Sequence, residues 1–262
     1  MVKSSVFFML FALLISCSNT ANDLLESKEV DTNTKIEKNI LQKSNEIVVL
    51  SKFTKEKISN LYKINNDKIQ IIPGGVNLNK FAPVNDKETI KKRLNIPSNK
   101  IILFTVRNLV RRMGLKNLII AFNDLVKGKA KIYLVVGGEG ALKTDLLALA
   151  RNYRIEDRIQ FAGFIPEEQL PSYYQMADIF VLPTKELEGF GLVTLEAMAS
   201  GLPVVGTPVG GTKEILGRFD SNFLFNGTDS DSMVKLIAEK YNIIKTYTDY
   251  QDLLADKNID MV

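Results

Sequence analysis

The chain of 262 residues contains no histidine, no tryptophan and a single cysteine, Cys17. Without histidine it has no imidazole for acid–base catalysis, for Ser-His-Asp or Cys-His nucleophile systems, or for most zinc sites. One cysteine also excludes a framework of disulfides within the chain. Chemistry in this protein therefore depends on carboxylates, Arg and Lys side chains, hydroxyl groups and backbone amides.

The charges are unevenly distributed along the chain. Residues 1–130 carry 22 Lys and Arg against 11 Asp and Glu, whereas residues 131–262 carry 12 against 19, for a total charge of +4. Two interpretations stay open, namely two solvated faces or a basic surface that meets anionic lipid or an anionic acceptor. Arg-rich runs with interleaved aromatics are lacking, so we expect no nucleic-acid partner.

The N-terminal segment has two interpretations. Its apolar run from Val6 to Ile15 is shorter than the roughly 20 residues that span a bilayer, and its length is typical of a signal-peptide core. "LISC" resembles a bacterial lipoprotein cleavage box with Cys17 as the lipidated residue. The alternative is the remainder of a truncated domain. We divide the chain into four parts. Residues 1–17 are the signal-peptide-like or truncated apolar segment, and residues 18–45 are a polar linker or remnant of a preceding domain. Residues 46–240 are a ligand-binding domain, and residues 241–262 are a polar tail.

From residue 46 onward, short β-branched apolar runs alternate with helical patterns. The runs are continuous rather than alternating, which is typical of strands covered on both faces. This rhythm predicts βαβ units and an α/β fold with a Rossmann-like, doubly wound parallel sheet. The predicted strands are "IVVL" (47–50), "IQII" (69–72), "IILFTV" (101–106), "KIYLVV" (131–136), "RIQFAG" (158–163), "DIFVLP" (178–183) and "PVVG" (203–206).

Ligands of such sheets bind at the carboxyl ends of the strands. The segments that follow the predicted strands are rich in glycine, arginine and glutamate, which predicts a rim that binds an anion. They include "PGGVN" (73–77), "RNLVRRMG" (107–114), "FIPEE" (164–168), "TKELEGFG" (184–191) and "TPVGGT" (207–212).

The stretch "ELEGFGLVTLEAMASGLPVV" (186–205) carries the sharpest signal on this rim. Gly189 and Gly191 stand where a helix begins near Leu192, and free amides at a helix N-terminus favour a phosphate. Glu196 lies just over one turn inside the helix. Because helical side chains are tilted toward the N-terminus, its carboxylate can reach the same helix start. Glu188 precedes the turn. The pattern fits a diphosphate between two hydroxyl-rich sugars. The alternative is one helix-capping glutamate and one solvated glutamate.

The ordered set of motifs resembles the C-terminal part of retaining glycosyltransferases of the GT-B fold, family 4. "EGFGLVTLEAMASGLPVV" and "GTPVGGTKEIL" match its signature, and the similarity extends upstream through "IVVLSKFTKEKI", "IQIIPGGVNLNKF", "LFTVRNLVRRMGLKNLIIAF", "LVVGGEG" and "IQFAGFIPEEQLPSYYQMADIFVLPT". The resemblance implies the C-terminal half of a GT-B fold. It also implies transfer of a sugar from a nucleotide diphosphate to an acceptor, without a protein nucleophile.

The resemblance assigns roles to individual residues. Glu188 would lie near the donor sugar and phosphates, and Glu196 would hold the ribose hydroxyls. Backbone near Phe164 and Ile165 would receive the base, and Gly75 would line an interdomain cleft. The β-phosphate and sugar would meet the turn formed by Gly189, Phe190, Gly191 and Leu192.

In the family, an Arg and a Lys bind the diphosphate of the donor, and in this sequence both charges are displaced. With the family's glycine aligned at Gly114, its Arg falls on Asn108 and its Lys on Met113. The charges survive one residue earlier, at Arg107 and Arg112, and arginine can grip phosphate bidentately. We therefore assign Arg107 and Arg112, together with Glu188, to the catalytic phosphate end, and expect Arg111 to be solvated.

No metal or other cofactor is expected beside the nucleotide sugar. "DSD" (229–231) imitates a manganese-binding motif, but it precedes the helical pattern "MVKLIAEKY", so helix capping is the better interpretation.

The resemblance also implies an acceptor-binding domain before residue 46, where this chain has only 45 residues. We therefore interpret the chain as truncated, a fragment or the product of a split gene, and a separate polypeptide is one possible source of the acceptor domain. Three hypotheses remain: a donor-binding domain of an enzyme, an inactive nucleotide-sugar binder, and a secreted protein anchored through Cys17 that keeps the fold without the ligand. The first predicts a cytoplasmic location, at the inner face of the membrane. The base (UDP, GDP or ADP) and the acceptor, whether polysaccharide, lipopolysaccharide or lipid-linked, stay open.

Overall fold

The computed structural model describes residues 35–127 and 131–240. The predictions for residues 1–17, for Cys17 and for the tail 241–262 lie outside the described residues. Within the described ranges, no helix combines the length and the apolar character needed to cross a bilayer.

A small unit at the start of the described chain contains a two-stranded parallel sheet. Strand β1 (Ile47–Val49) pairs with β2 (Ile69–Ile71), and helix α2 (Lys52–Tyr62) connects them. A helix over residues 35–43, α1, contributes Leu41 to the small hydrophobic cluster of this unit. The segment predicted as a polar linker therefore ends in an amphipathic helix that packs on the unit.

The larger unit is a five-stranded parallel sheet with the strand order β5-β4-β3-β6-β7. The chain starts at the centre, moves outward through two strands, crosses back and continues on the other side. The switch point therefore lies between β3 and β6, as in a doubly wound fold. The strands are β3 (Ile101–Val106), β4 (Ile132–Gly137), β5 (Ile159–Gly163), β6 (Ile179–Leu182) and β7 (Val204–Gly206).

All seven predicted strands form, and the doubly wound parallel sheet is confirmed. The sequence did not indicate that the first two strands make a sheet of their own. The reason is physical: a three-residue strand covered on both faces shows the same short apolar run in either sheet.

Both faces of the five-stranded sheet are covered by helices. Successive side chains of a strand point to opposite faces, so Leu103 enters one core cluster and Phe104 the other. The first cluster holds Phe122 and Leu146, and the second holds Tyr174 and Phe180. The remaining helices are α3 (Lys87–Arg93), α4 (Leu115–Lys127), α5 (Lys143–Asn152), α6 (Leu170–Met176), α7 (Leu192–Ala199), α8 (Gly210–Phe219) and α9 (Ser230–Lys240).

The two units are joined at the N-terminus of α2. The backbone amides of Lys52 and Phe53 donate to the carboxylate of Glu214 on α8, at 3.1 and 2.7 Å. The hydroxyls of Ser51 and Thr54 donate to the carbonyl oxygen of Gly189. The small unit is therefore held against the loop that precedes α7.

Candidate active site

Three loops meet at the switch point of the large sheet: residues 107–114 after β3, 183–191 after β6, and the start of α8. The amide of Lys185 donates to the carbonyl of Arg112 at 2.8 Å, and the amide of Gly211 donates to the carbonyl of Glu188 at 2.8 Å. A Cβ on Gly211 would lie 2.4 Å from the Cα of Phe190. The loops therefore approach so closely that only glycine fits at this position.

Arg107 and Glu188 form a buried ion pair at the centre of this meeting point. Their side chains are only 7% and 10% exposed, and Nη2 of Arg107 contacts Oε2 of Glu188. The hydroxyl of Thr184 joins them, since it accepts from Arg107 at 2.9 Å and donates to Glu188 at 3.1 Å. The same guanidinium nitrogen lies 3.0 Å from Sδ of Met113. The charged group of Arg107 thus contacts the sulfur of Met113, the residue that stands where the family resemblance places a lysine.

Arg112 is the second cation of the site. Its Nη1 donates to the carbonyl of Leu187 at 3.2 Å. Burial lowers its pKa, and so does the nearby charge of Arg107, while Glu188 acts in the opposite direction. Arginine stays protonated in proteins under such conditions. Two guanidinium groups and one carboxylate therefore leave a net positive charge for an anion.

The turn before α7 presents free backbone donors beside these cations. Gly191 precedes the helix with φ of +84°, a left-handed conformation that favours glycine. Among the described residues, the amides of Phe190, Gly191 and Leu192 have no backbone hydrogen-bond acceptor. Ser51 and Thr54 hold the Gly189 carbonyl, and the N–H of a trans peptide points the opposite way. The N–H of Phe190 is therefore directed away from α2.

Several buried donors at this site also lack partners within the described residues. They are Nε of Arg107 and the hydroxyls of Thr194 and Thr212. Both hydroxyls lie close to Gly191, where a Cβ would be 3.1 and 3.2 Å from them. Since buried polar groups are normally hydrogen-bonded, these orphan groups mark a place that a polar ligand or water can complete.

Glu196 lies at the other end of the site. Its half-buried carboxylate accepts a hydrogen bond of 2.8 Å from the hydroxyl of Tyr174 on α6. Burial raises its pKa, whereas the Tyr174 hydrogen bond and the charge of Lys80 lower it. Glu196 thus has a neutral partner, in contrast to the cationic partner of Glu188.

The other predicted site residues surround this centre. Phe164 is 73% exposed, whereas the Ile165 side chain is buried and lies over Gly137 at the end of β4. Both follow β5, two strands away from β3. Gly75 is exposed, and a Cβ there would meet nothing within 4 Å, whereas a Cβ at Gly74 would lie 3.0 and 3.1 Å from the side chains of Phe190 and Leu192. The first loop after β2 therefore borders the turn that precedes α7.

Two expectations for charged residues outside the centre are confirmed. Arg111 is exposed, in agreement with the prediction that it is solvated. The carboxylate of Asp229 accepts from the amide of Ser232 at 2.8 Å at the start of α9, so it acts as a helix cap. Within the described residues, no group of three His, Cys, Asp or Glu lies together as metal ligands.

Sequence reasoning missed Thr184 and Tyr174. Thr184 lies in the quoted rim segment "TKELEGFG", but a single threonine carries no signature. Tyr174 belongs to the helical pattern "PSYYQMA", in which an aromatic residue is most simply a core residue. Its hydroxyl reaches Glu196 because α6 and α7 contribute to the same core cluster on one face of the sheet.

The doubly wound sheet carries two carboxylates and a turn with free amides near its switch point, where open α/β sheets generally bind their ligands. Comparison with known proteins identifies its family. Residues 86–250 match the family model described as glycosyl transferases group 1, and the chain belongs to this family.

The similar proteins are longer than the chain. It is 34% identical over 160 residues to mannosylfructose-phosphate synthase of Agrobacterium fabrum, covering 57% of this chain and 35% of that protein. The structure matches sucrose-phosphate synthase of Thermosynechococcus elongatus with a TM-score of 0.70 and 29% identity, over 80% of this chain and 52% of that one. The chain spans between 35% and 52% of the length of the first three curated relatives.

A further structural neighbour agrees in fold. An Anabaena protein solved in complex with UDP and glucose matches with a TM-score of 0.72 and 19% identity, over 82% of this chain and 58% of that one. These structural neighbours are glycosyltransferases of the GT-B fold. The chain is therefore a glycosyltransferase-family protein whose described part has the architecture of one GT-B half.

Proposed function

We propose that the chain is the donor-binding part of a retaining glycosyltransferase of family 4, which transfers a hexosyl group from a nucleotide diphosphate to an acceptor. One observation carries this proposal: the loop whose free amides open α7 also binds two guanidinium groups, Arg107 through Glu188 and Arg112 through the Leu187 carbonyl. Such a cradle suits a diphosphate, whose negative charge grows as the sugar leaves.

In this proposal the donor lies across the switch point with its diphosphate at the amides of Phe190, Gly191 and Leu192. Arg112 and Arg107 stabilise the charge that develops on the leaving phosphate. Glu188 holds Arg107 in place and lies on the sugar side, and it is not required as a nucleophile. The reaction then depends on positioning and charge stabilisation, which suits a chain without histidine.

The nucleoside extends in the opposite direction. The carboxylate of Glu196 accepts hydrogen bonds from the ribose hydroxyls, and backbone at Phe164 and Ile165 borders the base. Gly75, in the loop after β2, lines the interdomain cleft, and a Cβ there would meet nothing within 4 Å. The structures of an Anabaena neighbour with UDP and UDP-glucose support a nucleotide-sugar donor.

We further propose that residues 46–240 act with an acceptor-binding domain, in the synthesis of a polysaccharide or lipopolysaccharide. The partial coverage of longer relatives supports this arrangement. Nucleotide sugars are cytosolic substrates, so the site belongs on the cytoplasmic side, in peripheral contact with the membrane where the acceptor is lipid-linked.

A second function is favoured by one specific observation. Met113 and Asn108 stand where the family resemblance places a Lys and an Arg, and the nearest cation, Arg107, is already neutralised by Glu188. This arrangement supports a protein that binds a nucleotide sugar without transferring it.

Calorimetry on the full chain with UDP, GDP and ADP tests the proposal. We expect one nucleotide to bind, and the corresponding nucleotide sugar to be hydrolysed slowly or transferred to an added acceptor. Binding without any turnover would favour the inactive binder. If a folded chain binds none of the three nucleotides, the proposed function is wrong.

A further inference from the structure

The Tyr174 hydroxyl contacts one carboxylate oxygen of the proposed ribose-binding residue. Its oxygen lies 2.8 Å from Oε2 of Glu196, and the tyrosine side chain is fully buried. Glu196 itself is only partly buried, and Tyr174 contacts only one of its two carboxylate oxygens. A single rigid donor therefore faces a carboxylate that a ligand also has to reach.

The ring of Tyr174 is fixed by three other aromatic rings. Phe81 and Phe104 meet it edge-on with ring centroids 5.8 and 5.4 Å away, and Phe180 lies 5.4 Å away. Buried aromatic side chains in such contacts have little rotational freedom. The hydroxyl therefore has a defined position that follows from the core, not from the mobility of a surface side chain.

The hydrogen bond has two consequences for Glu196. It fixes the direction of the carboxylate, because one oxygen is held while the other points elsewhere. It also favours the ionised form, since a hydroxyl can donate to a carboxylate. Burial acts against this effect and raises the pKa of Glu196.

The other charged groups that face Glu196 are Lys80, from the loop before α3, and Glu167, from the loop before α6. Lys80 lowers the pKa of Glu196 and Glu167 raises it. These two residues also form an ion pair with each other, with Nζ and Oε1 2.6 Å apart. Their effects on the pKa of Glu196 therefore oppose each other. The hydroxyl of Tyr174 is the group that donates a hydrogen bond directly to the carboxylate.

We propose that Tyr174 is a positioning residue for the donor site: it holds the Glu196 carboxylate ionised and oriented toward the ribose hydroxyls. The inference rests on the proposed function, because it requires that a nucleotide binds at Glu196. Tyr174 acts through Glu196 and contacts no reacting atom.

The test compares Tyr174→Phe with the wild-type full chain in binding of UDP, GDP and ADP between pH 4.5 and 8. Phenylalanine keeps the ring packing and removes only the hydroxyl. Without the hydrogen bond the pKa of Glu196 rises, so the acid midpoint of binding moves upward by about half to one pH unit. The affinity ratio of wild type to variant then grows as the pH falls, and levels off below both midpoints.

Tyr173→Phe is the matched control. Tyr173 is the neighbouring tyrosine on the same helix, it packs on Phe104, and within the described residues its hydroxyl has no hydrogen-bond partner. We expect this variant to keep the wild-type midpoint. Because ligand protonation is the same for every variant at a given pH, it cancels in the ratios.

Carbon-13 NMR of the Glu196 carboxyl measures the effect of Tyr174 on the pKa of Glu196 separately from nucleotide binding. The variant Glu196→Gln assigns the resonance. A raised pKa of Glu196 in Tyr174→Phe together with a shifted binding midpoint is the expected result. If nucleotide binds normally but neither value moves, the role of Tyr174 is wrong and the proposed function stands. If the wild type binds no nucleotide, both are wrong.

Discussion

The two glutamates of the site look equivalent in the sequence, but their surroundings differ. Glu188 is buried against the guanidinium of Arg107 and the hydroxyl of Thr184. Glu196 is partly exposed and its direct partner is the neutral hydroxyl of Tyr174. One carboxylate is thus paired with a cation, while in the proposed function the second oxygen of the other carboxylate binds the ligand. The comparison teaches that a motif glutamate can serve the scaffold or the ligand, depending on its partner.

The largest expected effect comes from removing Glu188. In Glu188→Ala the guanidinium of Arg107 remains buried without its counter-charge, and we expect a loss of about 3 kcal/mol in the free energy of unfolding. Urea denaturation measures it. The exposed neighbour Glu186 provides the control, since Glu186→Ala should leave stability nearly unchanged.

The double variant Arg107→Met with Glu188→Leu sharpens this prediction. Because it removes both charges, it should recover most of the stability lost in Glu188→Ala. If Glu188→Ala is as stable as the wild type, then Glu188 does not stabilise the buried guanidinium of Arg107 and the prediction is wrong.

The second prediction concerns the close approach of α8 to the turn before α7. In Gly211→Ala the new Cβ would lie 2.4 Å from Phe190 Cα, so the backbone has to move. We expect a stability loss of roughly 1–3 kcal/mol and loss of nucleotide binding. Gly217 lies on the same helix, and there a Cβ meets no atom closer than 4.0 Å. Gly217→Ala should therefore bind normally, and equal binding by both variants would be evidence against a preformed cradle.

Removing the charge of Glu196 should act on the ligand and spare the fold. Its carboxylate is partly exposed, so Glu196→Gln is expected to keep wild-type stability while nucleotide affinity falls roughly 10- to 100-fold. Calorimetry and urea denaturation on the same samples separate the two effects. Glu156→Gln, an exposed position before β5, serves as the control. Unchanged affinity in Glu196→Gln would remove Glu196 from the ligand site.

Arg112 gives the smallest and most selective expected effect. Arg112→Ala should weaken the binding of a nucleoside diphosphate about tenfold, as expected for the loss of a charged hydrogen bond, and should not affect the nucleoside alone. Arg111→Ala is the matched control, because Arg111 is the exposed neighbour. Equal weakening of diphosphate and nucleoside would mean that Arg112 does not act on phosphate.

Much of the fold could be predicted because each strand is a continuous apolar run. The run over 101–106 predicts β3 with the bounds that the structure has, Ile101–Val106. The helix predicted to begin near Leu192 corresponds to α7, Leu192–Ala199. The separation of β1 and β2 into their own sheet was not predictable, because pairing partners leave no trace in the composition of a short strand.

The site was predictable where backbone geometry carries it and not where side chains meet. The glycines around Phe190 indicated the turn and helix start that the structure contains. The pairing of Arg107 with Glu188 joins residues 81 positions apart and depends on β3 lying beside β6. The choice of Tyr174 as the partner of Glu196 likewise depends on α6 and α7 lying over the same face of the sheet. Such contacts follow from strand order and helix packing, which one sequence does not reveal.

A crystal structure of the full chain with whichever of UDP, GDP and ADP binds tests the central claim most directly. The account predicts diphosphate oxygens at about 3 Å from the amides of Phe190, Gly191 and Leu192. It also predicts ribose hydroxyls on the free oxygen of Glu196, with the Arg107–Glu188 pair intact. A nucleotide whose ribose binds Glu188, or one that lies away from the start of α7, would contradict the account.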